Sequence, residues 1–159
     1  MSGEQKLKEE YEYIKNGSLK NINAHVSIID KTNIFHWFGT IIGPKKTLYD
    51  GFYIFEIRFD SNYPNSPPKF QMRTPIYHPN ICCVNGNICT PYLYQWNNRH
   101  NITGLIHELF SLLKNPNEHD AYYPKDYEKA KKFREKYATT YLYDKFDWNN
   151  SWNKGWDNN

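Results

Sequence analysis

An α+β fold is predicted for these 159 residues. It is a four-stranded antiparallel meander with an N-terminal helix before it and a cysteine-bearing loop and C-terminal helices after it. Three observations carry this reading. Four strand-like segments follow one another across short turns marked by Gly or Pro, which suits hairpins rather than βαβ crossovers. The hydrophobic period changes after Cys89 to that of a helix. The polar start of the chain carries helix-capping spacing, Ser2 with Gln5.

The elements follow in order. Leu7, Tyr11 and Ile14 recur on one helical face, Gly17 is the terminator, and Lys6, Lys8 and Lys15 point to solvent. Residues 23–29 alternate Ala24, Val26 and Ile28 against His25 and Ser27. Residues 34–42 are aromatic and β-branched, Gly43-Pro44 and Gly51 mark turns, and 52–59 form a third strand. A fourth, 69–73, is set off by Tyr63-Pro64 and Pro67-Pro68. Then Ile102, Leu105, Ile106, Leu109, Leu112 and Leu113 describe a buried helix with Asn101 as N-cap and Pro116 as its stop. A charged helix over 126–141 is expected to turn Tyr127, Ala130, Tyr137 and Tyr141 toward the core.

Bulk properties narrow the class. With 39% hydrophobic and 18% aromatic residues the chain is globular, and its length suits one domain. A net charge of +3 gives no reason to expect a nucleic-acid partner. No run approaches the roughly 20 apolar residues that cross a bilayer, and residues 1–20 hold no signal-peptide stretch. The expected compartment is the cytoplasm or nucleus, where thiols stay reduced. Cys82, Cys83 and Cys89, an odd number within one loop, do not make a disulfide framework.

Tyr77-His78-Pro79-Asn80 and Gly86-Asn87-Ile88-Cys89 set a carboxamide and a thiol at opposite ends of one tight loop. A thiol can carry an acyl group as a thioester, and a nearby Asn NH₂ can donate to the oxyanion formed when an amine attacks it. No His–Asp relay of the protease kind stands beside them. The pair points to acyl transfer through a cysteine.

In sequence order, Trp37, Gly43-Pro44, Tyr63-Pro64, Pro67-Pro68, Tyr77-His78-Pro79-Asn80, Gly86 to Cys89, Trp96, Ser111-Leu112-Leu113 and Pro116-Asn117 resemble the ubiquitin-conjugating enzyme family. The resemblance runs over residues 3–141. It implies a UBC-like catalytic core, taken as 1–146, followed by an Asn- and Trp-rich tail, 147–159. It also implies two transfers. An activating enzyme hands ubiquitin, or a ubiquitin-like protein, to Cys89 as a thioester, and a substrate lysine, usually presented by a ligase, then attacks it. No cofactor is implied, since ATP is spent by the activating enzyme, and a monomer without membrane or nucleic-acid partners is expected. The alternatives are a conjugating enzyme for another ubiquitin-like protein and an inactive ubiquitin-binding variant.

Each site residue has a plainer reading beside the one the resemblance implies. Cys89 would otherwise be a buried small hydrophobe, the commoner fate of a reduced cysteine. Asn80 either stabilises the oxyanion or hydrogen-bonds the loop backbone. His78 lies in the substrate cleft, where a structural, hydrogen-bonded role is favoured over general base. Asp120 matches an acidic residue that orients the incoming amine, against an ordinary loop acid after Pro116. Tyr122 lines the same cleft. Lys6 and Lys8 match a basic face offered to the activating enzyme, although such lysines are commonly just solvated.

Several positions depart from the family pattern. Asn65 stands where a bulky apolar residue is common, and Trp96 is followed by Asn97-Asn98-Arg99 instead of Ser-Pro-Ala. Asn65, Asn98 and Arg99 therefore weaken the apolar anchor of the ligase surface. Thr90-Pro91 leaves one fewer polar group near the thiol. The loop from Asn80 to Cys89 is a residue longer than usual and holds Cys82 and Cys83. Solvent-facing or packed thiols without a role are the favoured reading there, ahead of zinc with His78, which lacks a second ligand pair, and of a redox couple with Cys89. Trp148, Trp152 and Trp156 punctuate a tail read as partly disordered. The excess of Asn, Lys, Ile and Tyr hints at an AT-rich genome, suiting a parasite or large virus.

Overall fold

The computed structural model describes residues 1–140 and 145, the side chain of Asp120 excepted. The hydroxyl of Ser2 accepts the backbone N–H of Gln5 at 3.1 Å, so helix α1 (Gly3–Tyr13) starts on the expected cap. Leu7 and Ile14 are buried, and Tyr11 sets its ring edge-on to Trp37 with centroids 5.4 Å apart. A widened turn (Ile14–Ser18) unwinds the helix end. Gly17 takes φ 111° there, a left-handed value that glycine adopts without steric cost.

Strands β1 (Ala24–Ser27), β2 (His36–Gly43), β3 (Gly51–Arg58) and β4 (Lys69–Met72) pair in chain order, each antiparallel to the next. The register follows from the period-two pattern. Val26 faces Gly39, Gly39 faces Phe55 and Phe55 faces Met72, which sets one apolar row across the sheet. Gly39 is required by close approach, because a Cβ there would fall 2.2 Å from the Phe55 ring. Trp37, Ile41, Tyr53, Ile57 and Phe70 extend this buried face.

Helix α2 (Pro91–Tyr94) and helix α3 (Ile102–Lys114) come next, then a 3₁₀ turn (Glu118–Asp120) and helix α4 (Tyr127–Tyr137). Asn101 caps α3 by accepting the Gly104 N–H at 2.8 Å. The six apolar residues expected on its inner stripe, Ile102 through Leu113, are all buried in the core shared with the sheet. Each such side chain contributes about 1.5–3 kcal/mol of transfer free energy, which makes α3 the main apolar support of the sheet.

Helix α2, N-capped by Thr90 with Pro91 at its first position, was not among the elements expected from the sequence. One expectation is corrected. Tyr127 does not face the core. It is 59% exposed on the first turn of α4, and the buried contacts come from Ala130 and, partly, Phe133. Helix α4 also ends earlier than expected, and Tyr141 lies outside the described residues, as does the 147–159 tail with its three tryptophans.

One buried charge joins three segments. Glu10 Oε1 accepts the Ile102 N–H at 2.7 Å, satisfying an unpaired donor at the start of α3. Its Oε2 accepts the hydroxyl of Tyr63. Burial raises the Glu10 pKa above its ordinary 4.5, while the bonds from Tyr63 and Ile102 and the charge of Lys6 pull it down. The folded protein therefore binds more protons than the unfolded chain in a window above pH 4.5. Relative to Glu10→Gln, the native chain is expected to be most stable below that window and to lose stability as pH rises through it. Urea melts of both proteins at pH 4.5 and 7.5 read the sign.

Candidate active site

The loop after β4 is built on a histidine. His78 is fully buried, with its Nε2–H donating to the Leu112 carbonyl at 2.7 Å and its Nδ1 accepting the Asn80 N–H at 3.0 Å. The Tyr49 ring lies 4.6 Å from it, and the Tyr49 hydroxyl donates to the Tyr77 carbonyl. Both ring nitrogens are thus committed to backbone, which fixes the tautomer and leaves no lone pair for a metal or a substrate. The placement of His78 in the substrate cleft is corrected: it supports the loop from beneath.

Residues 80–89 fold back as a small hairpin. Ile81 pairs with Ile88, Cys82 N–H donates to the Asn87 carbonyl at 2.8 Å, and Cys89 N–H donates to the Asn80 carbonyl at 2.7 Å. Ile81 and Ile88 face the core and are buried. Strand alternation therefore turns Asn80, Cys82, Asn87 and Cys89 to the other face. Gly86, at φ 79°, brings the turn against β4, where its carbonyl accepts the Met72 N–H at 2.8 Å. A Cβ on Gly86 would sit 2.1 Å from the Met72 carbonyl oxygen.

That second face is covered by the segment after α3. Asn80 and Asn117 bond reciprocally. The Asn80 carboxamide NH₂ donates to the Asn117 carbonyl at 2.7 Å, and its oxygen accepts the Asn117 N–H at 2.8 Å. The Tyr122 N–H donates to the Pro79 carbonyl at 2.7 Å. Asn80 is fully buried, and its carboxamide bridges the hairpin to the segment after α3. Asn117 also accepts the His119 N–H and so starts the turn that Asp120 closes. The side chain of Asp120 lies outside the described parts.

Cys89 is a partly exposed thiol, and none of the three cysteines is in a disulfide. It was not buried as a small hydrophobe. Tyr122 is 48% exposed beside it. Burial raises the Tyr122 pKa, and negative charge on Cys89 and on Cys82 adds to the shift, so the phenol stands in the field of both sulfurs. An open cleft of about 520 Å³, lined by Glu118, Ala121, Tyr122, Tyr123, Pro124 and Lys125, adjoins this rim. Thr90, next to the thiol, caps α2 through the Tyr92 N–H and donates to Glu108. Thr-Pro is itself an N-cap and first-turn signature, so the cap was available in the sequence.

The outlying positions separate into two patches. Asn65, Asn98 and Arg99 are all exposed, and the Trp96 indole N–H donates to the Pro64 carbonyl at 2.8 Å, joining their two loops. Lys6 is half-buried near Glu10, and the exposed Lys8 pairs with Glu4 at 3.2 Å. Solvent-exposed pairs of this kind contribute little to stability.

A four-stranded antiparallel meander with one helix before it, a partly exposed cysteine in a braced hairpin and helices behind is the frame of a cysteine acyltransferase. The family model for the ubiquitin-conjugating enzyme matches residues 6–143. Ubiquitin-conjugating enzyme E2 13 of Arabidopsis thaliana is 35% identical over 124 residues, covering 69% of this chain and 72% of that protein. Among solved structures, a Plasmodium yoelii protein assigned to these enzymes superposes with TM-score 0.74 at 28% identity, covering 85% of this chain and 94% of that one. The E2 domain of a Toxoplasma gondii ubiquitin conjugating enzyme gives 0.71 at 26%, covering 84% and 97%. This chain belongs to the ubiquitin-conjugating enzyme family, transferases that work through a cysteine thioester.

Burial of His78 lowers its pKa from 6.5 to about 4, although the bond to Leu112 works the other way. The unfolded chain therefore binds the extra proton first as pH falls. Stability fully present above pH 6.5 is expected to be lost on approach to pH 4, by up to roughly 3 kcal/mol. The same proton would displace the Asn80 N–H from Nδ1 and loosen the hairpin. Equilibrium unfolding across pH 4–7 should show this slope in the native protein and lack it in His78→Gln.

Proposed function

We propose that Cys89 accepts the C-terminal acyl group of ubiquitin from an activating enzyme and passes it to a lysine amine, usually with a ligase. The observation that carries this reading is a partly exposed Cys89 in a hairpin fixed by Asn80 and Asn117, under an open tyrosine-lined rim. In the first transfer the Cys89 thiolate attacks the activating enzyme's thioester and releases that enzyme's sulfur. Even an ordinary thiol, a few per cent ionised at neutral pH, suffices for exchange with an activated acyl group. In the second transfer a neutral amine attacks the carbonyl, the oxyanion collapses, and Cys89 leaves. The cleft must desolvate the incoming ammonium to lower its pKa from about 10.4. Asp120 orients that amine, and Tyr122 borders its path.

Lys6 and Lys8 face the activating enzyme in this reading, and Asn65, Asn98 and Arg99 face the ligase. With Asn and Arg in place of an apolar anchor, a partner that docks there does so through polar contacts. Asn80 acts chiefly by holding Cys89 in place, its carboxamide bonded to the Asn117 backbone through one N–H and through its oxygen.

Two measurements test the assignment. Incubated with activating enzyme, ATP and ubiquitin, the native protein should form an adduct cleaved by reductant. Cys89→Ser should form one that resists it, and Cys89→Ala none. The same assay with a panel of ubiquitin-like proteins identifies the modifier, and failure with every one favours an inactive binding variant. Asn80→Ala should slow both charging and lysine discharge. A loss of about 10²–10³-fold confined to discharge would instead give Asn80 the oxyanion role.

A further inference from the structure

The turn of the hairpin holds a second sulfur in an environment that Cys89 chemistry does not use. The Tyr123 hydroxyl is wedged between Cys82 and Cys83. It accepts the Cys83 N–H at 3.0 Å and the Cys83 S–H at 3.0 Å, and it donates its own proton to the Cys82 sulfur at 3.7 Å. Tyr123 is held there by stacking on Tyr77, with centroids 5.5 Å apart. The two adjacent thiols are therefore unlike. Cys83 donates to the tyrosine hydroxyl, whereas the Cys82 sulfur accepts from it.

The backbone N–H groups of Val84 and Asn85 also point at the Cys82 sulfur. Burial raises its pKa, but those two donors and the Tyr123 hydroxyl outweigh burial and bring it below its ordinary value. A sulfur so surrounded by donors, half-buried and next to a turn whose Val84 is 70% exposed, is the setting of a reactive cysteine. The hairpin register then places it. Since Cys82 lies opposite Asn87 and Cys89 opposite Asn80, Cys82 and Cys89 are diagonal neighbours on one face. Diagonal partners stand roughly 7–8 Å apart at Cα, just outside the disulfide range that ends near 6.8 Å. An inward shift of about 1 Å by the turn closes that gap.

We propose that Cys82 is a modification site for hydroperoxides, and that Cys89 closes on the oxidised sulfur to form a Cys82–Cys89 disulfide. The Cys82 thiolate attacks one peroxide oxygen. An S–O bond forms, the O–O bond breaks, and hydroxide (or the alkoxide) leaves, giving Cys82 sulfenic acid. Cys89 sulfur then attacks the sulfenic sulfur. The S–S bond forms, S–O breaks, and the leaving hydroxide takes the Cys89 proton as water. Two thiols are oxidised by two electrons and one peroxide is reduced. The product holds Cys89 unable to accept an acyl group and protected from further oxidation until a thiol reductant releases it. The regulatory consequence rests on Cys89 being the acyl acceptor; the disulfide itself does not.

The experiment is peptide mapping by mass spectrometry of the full chain after mild hydrogen peroxide, alongside ubiquitin charging before treatment, after treatment and after reductant. The expected result is a Cys82–Cys89 linked peptide in the native protein and in Cys83→Ser. Charging should be lost with its appearance and restored by reductant. Cys82→Ser and Cys82→Ala should charge normally before treatment, give no linked peptide, and lose less charging at the same mild peroxide dose than the native protein. A Cys83–Cys89 link, a Cys82–Cys83 link or no intramolecular link overturns the proposal. If the untreated native protein fails to charge, the assignment of Cys89 falls instead, while the mapping still decides the disulfide.

Discussion

The reciprocal bond between Asn80 and Asn117 is the constraint on which the site depends. A side-chain amide bonded at both ends to a backbone amide copies the pairing of two strands, and here it ties the hairpin to the segment that leaves α3. Together with the Tyr122 N–H on the Pro79 carbonyl, it fixes the wall opposite the face bearing Cys89. His78 completes the support from below by committing one ring nitrogen to α3 and the other to Asn80 itself. The thiol is thus positioned through two layers of neutral hydrogen bonds. This suits a reaction in which acyl groups arrive already activated and the protein has chiefly to hold the exchange partners still.

Burial and polarity divide the loop along the same line. Ile81 and Ile88 anchor one face in the core, and that anchoring sets which residues meet the cleft. A one-residue slip would exchange Cys89 for Ile88 at the rim. The turn of the hairpin is held in place as well, since the Gly86 and Asn85 carbonyls accept from Met72 and Gln71 of β4.

Much of this was legible in the sequence because the signals were local or periodic. Ser2 and Asn101 announce their helices by hydroxyl or amide before an apolar repeat, and the alternation in 23–29 gives the buried face of β1 directly. The family pattern over Tyr77 to Cys89 located the thiol, and a partly exposed sulfur is compatible with it. What stayed hidden depended on contacts distant in sequence. The burial of Glu10 requires Ile102 and Tyr63, and the partner of Asn80 lies 37 residues away. The differing hydrogen-bond roles of Cys82 and Cys83 require a tyrosine some 40 residues on. Tyr127 misled because a helical period says which residues share a face, not how far the opposing surface reaches along the axis.

Glu10 has an implication for reading mutational scans of this molecule. Its two oxygens fasten the first helix both to the amide that opens α3 and to the tyrosine beside the Pro64 loop. The lysine-bearing surface and the Trp96 surface thus hang from one hidden carboxylate. A substitution there would loosen two separate faces of the scaffold while altering the side chains of neither, and a mutational screen would score as a shared surface what is really a common hinge-pin.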